Sequence, residues 1–355
     1  MDTFLVYGAY GYTGELVTCE AVERGLSPVL AGRDPDRLEA LATETGREGR
    51  AFDLDSPSLI ADHLADVDVV CNCAGPFEDT AEAMLTACLE TGTHYLDVTG
   101  EIAVFERLAR ADDDAAAAAV TVLPGVGFDV VPSDCLAAYC HERLPSATHL
   151  SLGIAGLDDA SRGTARTMVR GLGDGGVVRR DGRIVQVPTA HRRREIDFGR
   201  GPTPAATIPW GDVSTAYHTT GIENVEVYMA MSGPAIRAVR IGNYLRPLLG
   251  SRPVQAVLDR LVTTAVSGPD RETRERETAA VWAEATDGER TVEARVTTPN
   301  PYALTADSAV SATERVLAEE APPGFQTPAG AFGADFALEL DGVERELVRE
   351  PDRSE

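Results

Sequence analysis

The chain of 355 residues contains no lysine; all 32 of its basic residues are arginine. That absence removes whole classes of chemistry. No side chain can form a Schiff base, and no tyrosine has a lysine four positions on to activate it. Tyr95-x-x-x-Thr99 and Tyr139-x-x-x-Arg143 keep such a spacing but lack the amine. Positive charge is scarce as well: 57 acidic residues against 32 basic ones leave a formal charge of −25. An excess of that size opposes binding to nucleic acid or anionic lipid. A disordered acidic chain is the competing reading, but 43% of the residues are hydrophobic, enough to build a core. The composition instead describes a folded, carboxylate-rich protein suited to high salt, where screening suppresses self-repulsion. A halophilic source accounts for the charge without invoking function.

Long apolar runs and cysteine frameworks are also missing. The longest uncharged stretch near the middle, Ala115 to Phe128, is 14 residues, too short to span a bilayer. No signal peptide is visible, because a Gly-rich turn stands where one would lie. Six cysteines are scattered through expected strands and helices, and no cluster has zinc-like spacing. Cys71-Asn72-Cys73 lies in an apolar run that reads as a buried strand. The expectation is a soluble, cytoplasmic protein without metal or membrane span, whose partner is a small-molecule substrate.

What is present begins almost at residue one. Gly8-Ala9-Tyr10-Gly11-Tyr12-Thr13-Gly14 follows the apolar run Phe4–Tyr7, where a strand hands over to a helix. Gly8 permits a tight turn and Gly11 a close approach of a pyrophosphate. Gly14 permits helix–sheet packing, and the free N–H groups of the helix face the phosphates. Tyr10, Tyr12 and Thr13 belong to the same turn. The bland alternative, a Gly-rich loop in an ordinary α/β protein, is outweighed by the alternating series that follows. Cofactor choice turns on the end of the second strand. An NAD-binding version places an acid there; here Gly32 is followed by Arg33, a cation suited to a 2′-phosphate. Asp34-Pro35 has the form of a helix N-cap with proline at the first helical position, so Asp34 has a structural job. Arg37 is either a second phosphate contact or a solvated helix residue. The cofactor expected is NADP.

The first 125 or so residues alternate between strands (Phe4–Tyr7, Val29–Ala31, Ala51–Phe52, Val67–Cys73, His94–Val98, Val120–Leu123) and intervening helices. The helices are expected at Thr13–Arg24, Pro35–Thr45, Pro57–Leu64, Thr80–Thr91 and Ile102–Ala118. The fold class is therefore α/β: an N-terminal Rossmann domain, a doubly wound parallel sheet, with ligands at the carboxyl ends of its strands. Beyond about residue 146 the texture changes to a C-terminal α+β domain on a largely antiparallel sheet, with a hairpin at Asp287-Gly288. The boundaries read as 1–130 for NADP binding, 131–300 for substrate and dimerisation, and 301–345 for a helix and segment returning toward the first domain. A helical region from Ala235 to Val266 has spacing suited to core packing or a homodimer face.

These patches, with Cys73-Ala74-Gly75-Pro76-Phe77, Tyr95-Leu96-Asp97-Val98-Thr99-Gly100-Glu101 and Pro124 to Asp134, resemble the saccharopine dehydrogenase-like oxidoreductases. Within them the sequence is most similar to the trans-acting enoyl reductases. Pro209-Trp210-Gly211-Asp212, Thr220-Gly221 and Thr327-Pro328-Ala329 extend the likeness over most of the chain. The resemblance implies a Rossmann domain, NADP(H) and reductase activity. The Gly-rich turn departs from that of true saccharopine reductases.

The site residues follow from the topology. Gly75, Pro76 and Phe77 end the fourth strand, where glycine permits close approach to a ribose and Pro-Phe can wall the nicotinamide; a rigid turn with Phe77 in the core is the plain alternative. Tyr95, Asp97 and Glu101 end the fifth strand, and Asp129 and Asp134 follow the sixth. Tyr95 is the first choice for proton donor, with Asp97 and Asp129 as the other catalytic candidates and Glu101 equally suited to capping. Asp53 ends the third strand, where it either accepts from an adenine amino group or serves its turn. The chemistry expected is hydride transfer to an activated C=C bond of a lipid-like or polyketide-like substrate, with a saccharopine-type C=N reduction as the rival. A carboxylate-rich substrate would need arginines such as Arg162, Arg166, Arg170 or Arg192-Arg193-Arg194, which otherwise pair with surface acids. A dinucleotide-binding sensor without turnover would carry the same cofactor turn.

Overall fold

A computed structural model of the chain describes residues 3–157, 175–246, 251, 253–255, 258, 260 and 270–351. Contacts divide it into two units, Met1–Val131 with Pro301–Asp341, and Pro132–Asn300 with Gly342–Glu355.

The first unit is built on β1 (Phe4–Tyr7), β2 (Val29–Gly32), β3 (Gly49–Ala51), β4 (Val69–Asn72), β5 (His94–Asp97) and β6 (Thr121–Leu123). Every residue of β1, β2 and β4 is buried, as expected of parallel strands covered on both faces. The strands run parallel in the order β6-β5-β4-β1-β2-β3, and Gly324–Phe325 adds a seventh parallel strand beside β6. Strand order thus reverses between β1 and β4, and their carboxyl ends form the switch point of a doubly wound sheet.

The helices are α1 (Tyr12–Glu23), α2 (Pro35–Thr45), α3 (Pro57–Leu64), α4 (Phe77–Thr91), α5 (Ile102–Leu108) and α6 (Asp112–Ala117). The single helix expected over 102–118 is broken by a 3-10 turn at Ala109–Ala111. There the Asp112 carboxylate accepts the Phe325 N–H at 2.7 Å and ties in the seventh strand. The C-terminal helix Pro301–Leu317 belongs to this unit. Arg24 at the end of α1 holds it by ion pairs to Asp307 and Glu314, while also pairing with Glu20.

The second unit carries a nine-stranded sheet. Its main path runs Arg193–Asp197, Pro202–Ile208, Asn224–Ala230, His149–Ala155, Thr278–Thr286, Thr291–Pro299 and Glu344–Arg349. All these pairings are antiparallel except that of Asn224–Ala230 with His149–Ala155. The hairpin at Asp287-Gly288 forms with Gly288 at φ +94° and the Asp287 carboxylate accepting from Glu289 N and Arg290 N. Strand Pro202–Ile208 escapes a sequence reading because Pro202 and Pro204 look like breakers; it lies one strand in from the edge, with Pro204 opposite Glu195. Of the helical region expected over 235–266, Gly233–Gly242 is helical. Residues 247–250, 252, 256, 257, 259 and 261–266 of it lie outside the described residues, as do Arg162, Arg166 and Arg170. Among the described residues no helix is long and apolar enough to cross a membrane, and no acid, cysteine and histidine cluster could hold a metal ion.

Candidate active site

The Gly-rich turn is as tight as its spacing suggests. Gly8 has φ +80°, and a Cβ there would meet the Ala74 Cβ at 2.9 Å, so the β1 and β4 loops touch at the switch point. A Cβ on Gly14 would stand 2.9 Å from Ala9 Cα and closer still to the Gly8 carbonyl. Gly11 precedes α1 and provides no side-chain cap, so the first-turn N–H groups of α1 have no partner within their helix. That backbone cradle fits a pyrophosphate, and side chains at Gly8 or Gly14 would fill it.

The Tyr10 ring lies over Gly32, where a Cβ would approach it to 2.5 Å. Its hydroxyl accepts the Asp34 N–H at 2.9 Å. Arg37 sits over the same ring, 4.6 Å from its centroid, and donates to the Tyr10 carbonyl at 2.7 Å. Arg37 is therefore a brace for the turn. Asp34 caps α2 by accepting the Arg37 N–H, with Pro35 opening the helix. Arg33 is exposed beside them and forms no ion pair among the described residues. The Tyr12 ring packs edge-on against Tyr302 at 5.0 Å, and Thr13 is half-buried in the same helical turn. Asp53 is exposed, and its Oδ1 accepts the Asp55 N–H at 3.1 Å: it serves its turn, with the second oxygen uncommitted by that bond.

At the other side of the switch point, Gly75, Pro76 and Phe77 connect β4 to α4, with a cis Gly75-Pro76 peptide. The half-buried Phe77 ring folds back over Gly75, 3.4 Å from where a Cβ would stand, and packs on the core. Buried Asn72 accepts the Ala74 N–H and donates to Thr80, whose hydroxyl donates to the Ala74 carbonyl. From the β5 loop, Glu101 reaches over so that Oε1 accepts the Phe77 N–H at 3.0 Å and Oε2 the Glu78 N–H at 2.8 Å.

Tyr95 does not fit the role of proton donor. It is fully buried in the sheet, and its hydroxyl donates to Asp97 Oδ2 at 2.6 Å; burial, reinforced by Asp97, raises its pKa well above that of an ordinary phenol. Asp97 is equally buried. Its Oδ1 accepts the Thr99 and Gly125 N–H groups, each at 3.0 Å. Burial pushes its pKa up to about 6 against the pull of these donors. The carboxylate thus staples the β5 loop to the β6 loop and is a positioning group. Asp129 differs. Its Oδ2 lies 2.7 Å from where a Cβ on Gly100 would stand, so only glycine at 100 leaves room for it. Burial pushes its pKa up to about 6, yet it keeps some exposure. Gly100 touches Asp129 and the next residue, Glu101, holds the Phe77 turn, so both flank the same two-residue segment.

Two contributions were not readable from the sequence. Thr305 and Ser308 of the returning helix brace the β6 loop: Thr305 Oγ1 accepts the Phe128 N–H at 3.0 Å and Ser308 donates to the Val126 carbonyl at 2.7 Å. Their i, i+3 spacing on one helix face is the only local signal. In the second unit, Asp134 accepts a short hydrogen bond from Thr219. Arg192, Arg193 and Arg194 pair with Glu226, Glu195 and Glu284, so these three arginines are engaged by acids of their own sheet.

Residues 4–123 match the family model of the Saccharopine dehydrogenase NADP binding domain, and this stretch is an NADP-binding domain. A bovine (Bos taurus) saccharopine dehydrogenase-like oxidoreductase is 29% identical over 197 residues, covering 48% of this chain and 46% of that protein. A trans-acting enoyl reductase of Mycobacterium ulcerans is 26% identical over 147 residues, covering 39% of this chain and 35% of that protein. The chain spans about half the length of the curated relatives it matches. The apo saccharopine dehydrogenase (L-Glu forming) of Saccharomyces cerevisiae has the same fold at TM-score 0.65 and 14% identity, covering 98% of this chain and 100% of that one.

Proposed function

We propose that this chain, with its saccharopine dehydrogenase NADP binding domain, is an NADPH-dependent reductase acting on an activated C=C bond of a lipid-like or polyketide-like substrate. The observation that carries the reading is Asp129: a carboxyl raised to about 6 by burial, seated against Gly100, the residue before the Glu101 that holds the Phe77 turn. NADPH, when bound, supplies the hydride. The chain would hold its phosphates on the Gly8–Gly14 turn and Arg33, and rest its nicotinamide half against Gly75, Pro76 and Phe77. Asp129 would deliver the proton to the carbon or heteroatom left basic by hydride addition, then regain one from solvent. A carboxyl titrating near neutrality is matched to that work, and general acid catalysis typically contributes about a hundredfold or more.

Asp97, Glu101 and Asp129 together make this edge inhospitable to an anionic reacting group, and Arg192–Arg194 are already paired. An enoyl acceptor is neutral before hydride addition, and the negative charge that then develops on it is met by proton delivery from the acid form of Asp129. A protonated C=N acceptor is the second reading, because the same carboxylates would stabilise its positive charge. The partial likeness to a trans-acting enoyl reductase favours the first. The test is NADPH oxidation in molar salt, chosen because of the −25 charge, with enoyl thioesters in one arm and imines of aldehydes with amino acids in the other. Turnover confined to imines sinks the C=C reading. NADPH binding without turnover in either arm leaves a dinucleotide-binding sensor.

A further inference from the structure

Three helices of the NADP-binding unit start at or near the switch point, and their N-termini are treated differently. That of α1 has no side-chain cap, that of α2 is capped locally by Asp34, and that of α4 receives a carboxylate 24 residues away in sequence. Glu101 lays one oxygen on each of two successive backbone donors, Phe77 N at 3.0 Å and Glu78 N at 2.8 Å. Helix N-termini attract anions through free N–H groups and the dipole; here the protein's own anion takes the place. Glu101 is itself fixed, because its backbone N–H donates to Thr99 Oγ1 at 3.1 Å and the Thr99 N–H donates to Asp97. A continuous chain of hydrogen bonds therefore runs from Tyr95 through Asp97, Thr99 and Glu101 to the turn after β4.

We infer that Glu101 is a positioning residue of the hydride-transfer site: its carboxylate fixes the Gly75–Phe77 turn and closes the α4 N-terminus to phosphate, leaving the α1 N-terminus for the cofactor. This rests on the reductase reading, in which that turn walls the nicotinamide half. Two otherwise similar anion sites a few residues from one switch point would let a dinucleotide seat in a second register. Filling one with a tethered carboxylate removes the second register and aligns the turn.

The experiment uses the full chain with Glu101→Gln, Glu101→Asp and Glu101→Ala, and reads three quantities. Amide hydrogen exchange at Phe77 and Glu78 should accelerate about tenfold or more in Glu101→Gln, the loss expected for charge-assisted bonds to exposed donors, while β1 and α1 exchange as in the wild type. With NADP+ saturating the cofactor turn, inorganic phosphate should raise the melting temperature of Glu101→Ala and not that of the wild type. Turnover should fall more than the KM for NADPH rises, because the turn is misaligned rather than the phosphate cradle lost. Glu101→Asp, too short to span both donors, should show intermediate exchange and still exclude phosphate, which keeps the proposal testable if Glu101→Ala does not fold. Unchanged exchange at Phe77 and Glu78, or phosphate stabilising wild type and variant alike, overturns the assignment. Accelerated exchange with unaltered turnover also overturns it, while leaving the reductase reading in place. If no acceptor supports turnover in any form of the protein, exchange and phosphate binding still decide the role of Glu101.

Discussion

The two sides of the switch point are built from opposite materials. After β1 and β2 the chain offers backbone N–H groups, glycines and an exposed arginine, the materials that hold phosphate. After β4, β5 and β6 it offers carboxylates, and two of these, Asp97 and Glu101, are spent on backbone donors of neighbouring loops. The phosphate side is made of one short segment plus one strand end, so its parts are close in sequence. The opposite side, where we place hydride transfer, is assembled from three loops held together by carboxylate staples, with the returning helix bracing the third. One side leaves its backbone donors open; the other has its backbone donors closed by the protein's own carboxylates.

The largest effect expected is on the hydride side. Asp129→Asn should lower turnover about a hundredfold or more while NADPH affinity, read by fluorescence titration, stays within about twofold. With Asp129 raised to about 6, the acid form is lost as pH rises through that value, so kcat/KM should fall above it and the variant's residual rate should be flat. A variant that turns over normally would leave the hydride side without its proton source.

Next comes the phosphate side. Arg33→Ala should weaken NADPH binding by about 1.5–3 kcal/mol, the worth of a charge-assisted contact to the 2′-phosphate, and leave NADH binding nearly unchanged. Equal losses for both cofactors would make Arg33 structural and erase half of the contrast.

Sequence reading reached the phosphate side almost whole because its logic is local: Gly8, Gly11 and Gly14 follow one strand, and Asp34-Pro35 announces its own cap. It reaches less of the carboxylate side, where Glu101 bonds the Phe77 N–H and Asp97 the Gly125 N–H across more than twenty residues of sequence. Helix α4 was expected from Thr80 and begins at Phe77, since no residue near 77 signals a cap and the cap comes from Glu101. Alternation along β5 puts Tyr95 and Asp97 on one face, but it does not reveal that the phenol donates to that carboxylate inside the core. The second sheet was legible in class through its apolar alternation and the Asp287-Gly288 turn; Pro202–Ile208 was hidden by its two prolines, and Glu344–Arg349 depends on a strand neighbour about fifty residues away.

A smaller effect tests the staple. Tyr95→Phe leaves Asp97 Oδ2 without its donor in a buried setting and should cost about 1–3 kcal/mol of stability by denaturant unfolding, with turnover per folded molecule changed little. The pH dependence has a defined sign. Asp97 has a folded-state pKa raised to about 6, so the stability it contributes is full below its unfolded value and is lost as pH rises through about 6. Asp97→Asn should flatten that fall. A hundredfold loss of turnover in Tyr95→Phe would return the phenol to the chemistry.

The smallest effect concerns Asp53, an acid that follows β3 and tests whether the contrast extends to that strand. Its Oδ1 accepts the Asp55 N–H, and an asparagine there keeps that acceptor while replacing the second oxygen by an amide that cannot accept from an adenine amino group. Asp53→Asn should therefore leave the melting temperature unchanged and lower NADPH affinity by no more than about threefold, since a hydrogen bond at an exposed position contributes at the low end of about 0.5–1.5 kcal/mol. Asp53→Ala loses the turn acceptor too and should destabilise by roughly 0.5–1 kcal/mol on top. The pair separates the turn from the contact. A tenfold or larger loss of NADPH affinity in Asp53→Asn would show a carboxylate carrying cofactor binding beside Arg33, and the division between an open, cationic phosphate side and a closed, carboxylate hydride side would no longer hold at β3.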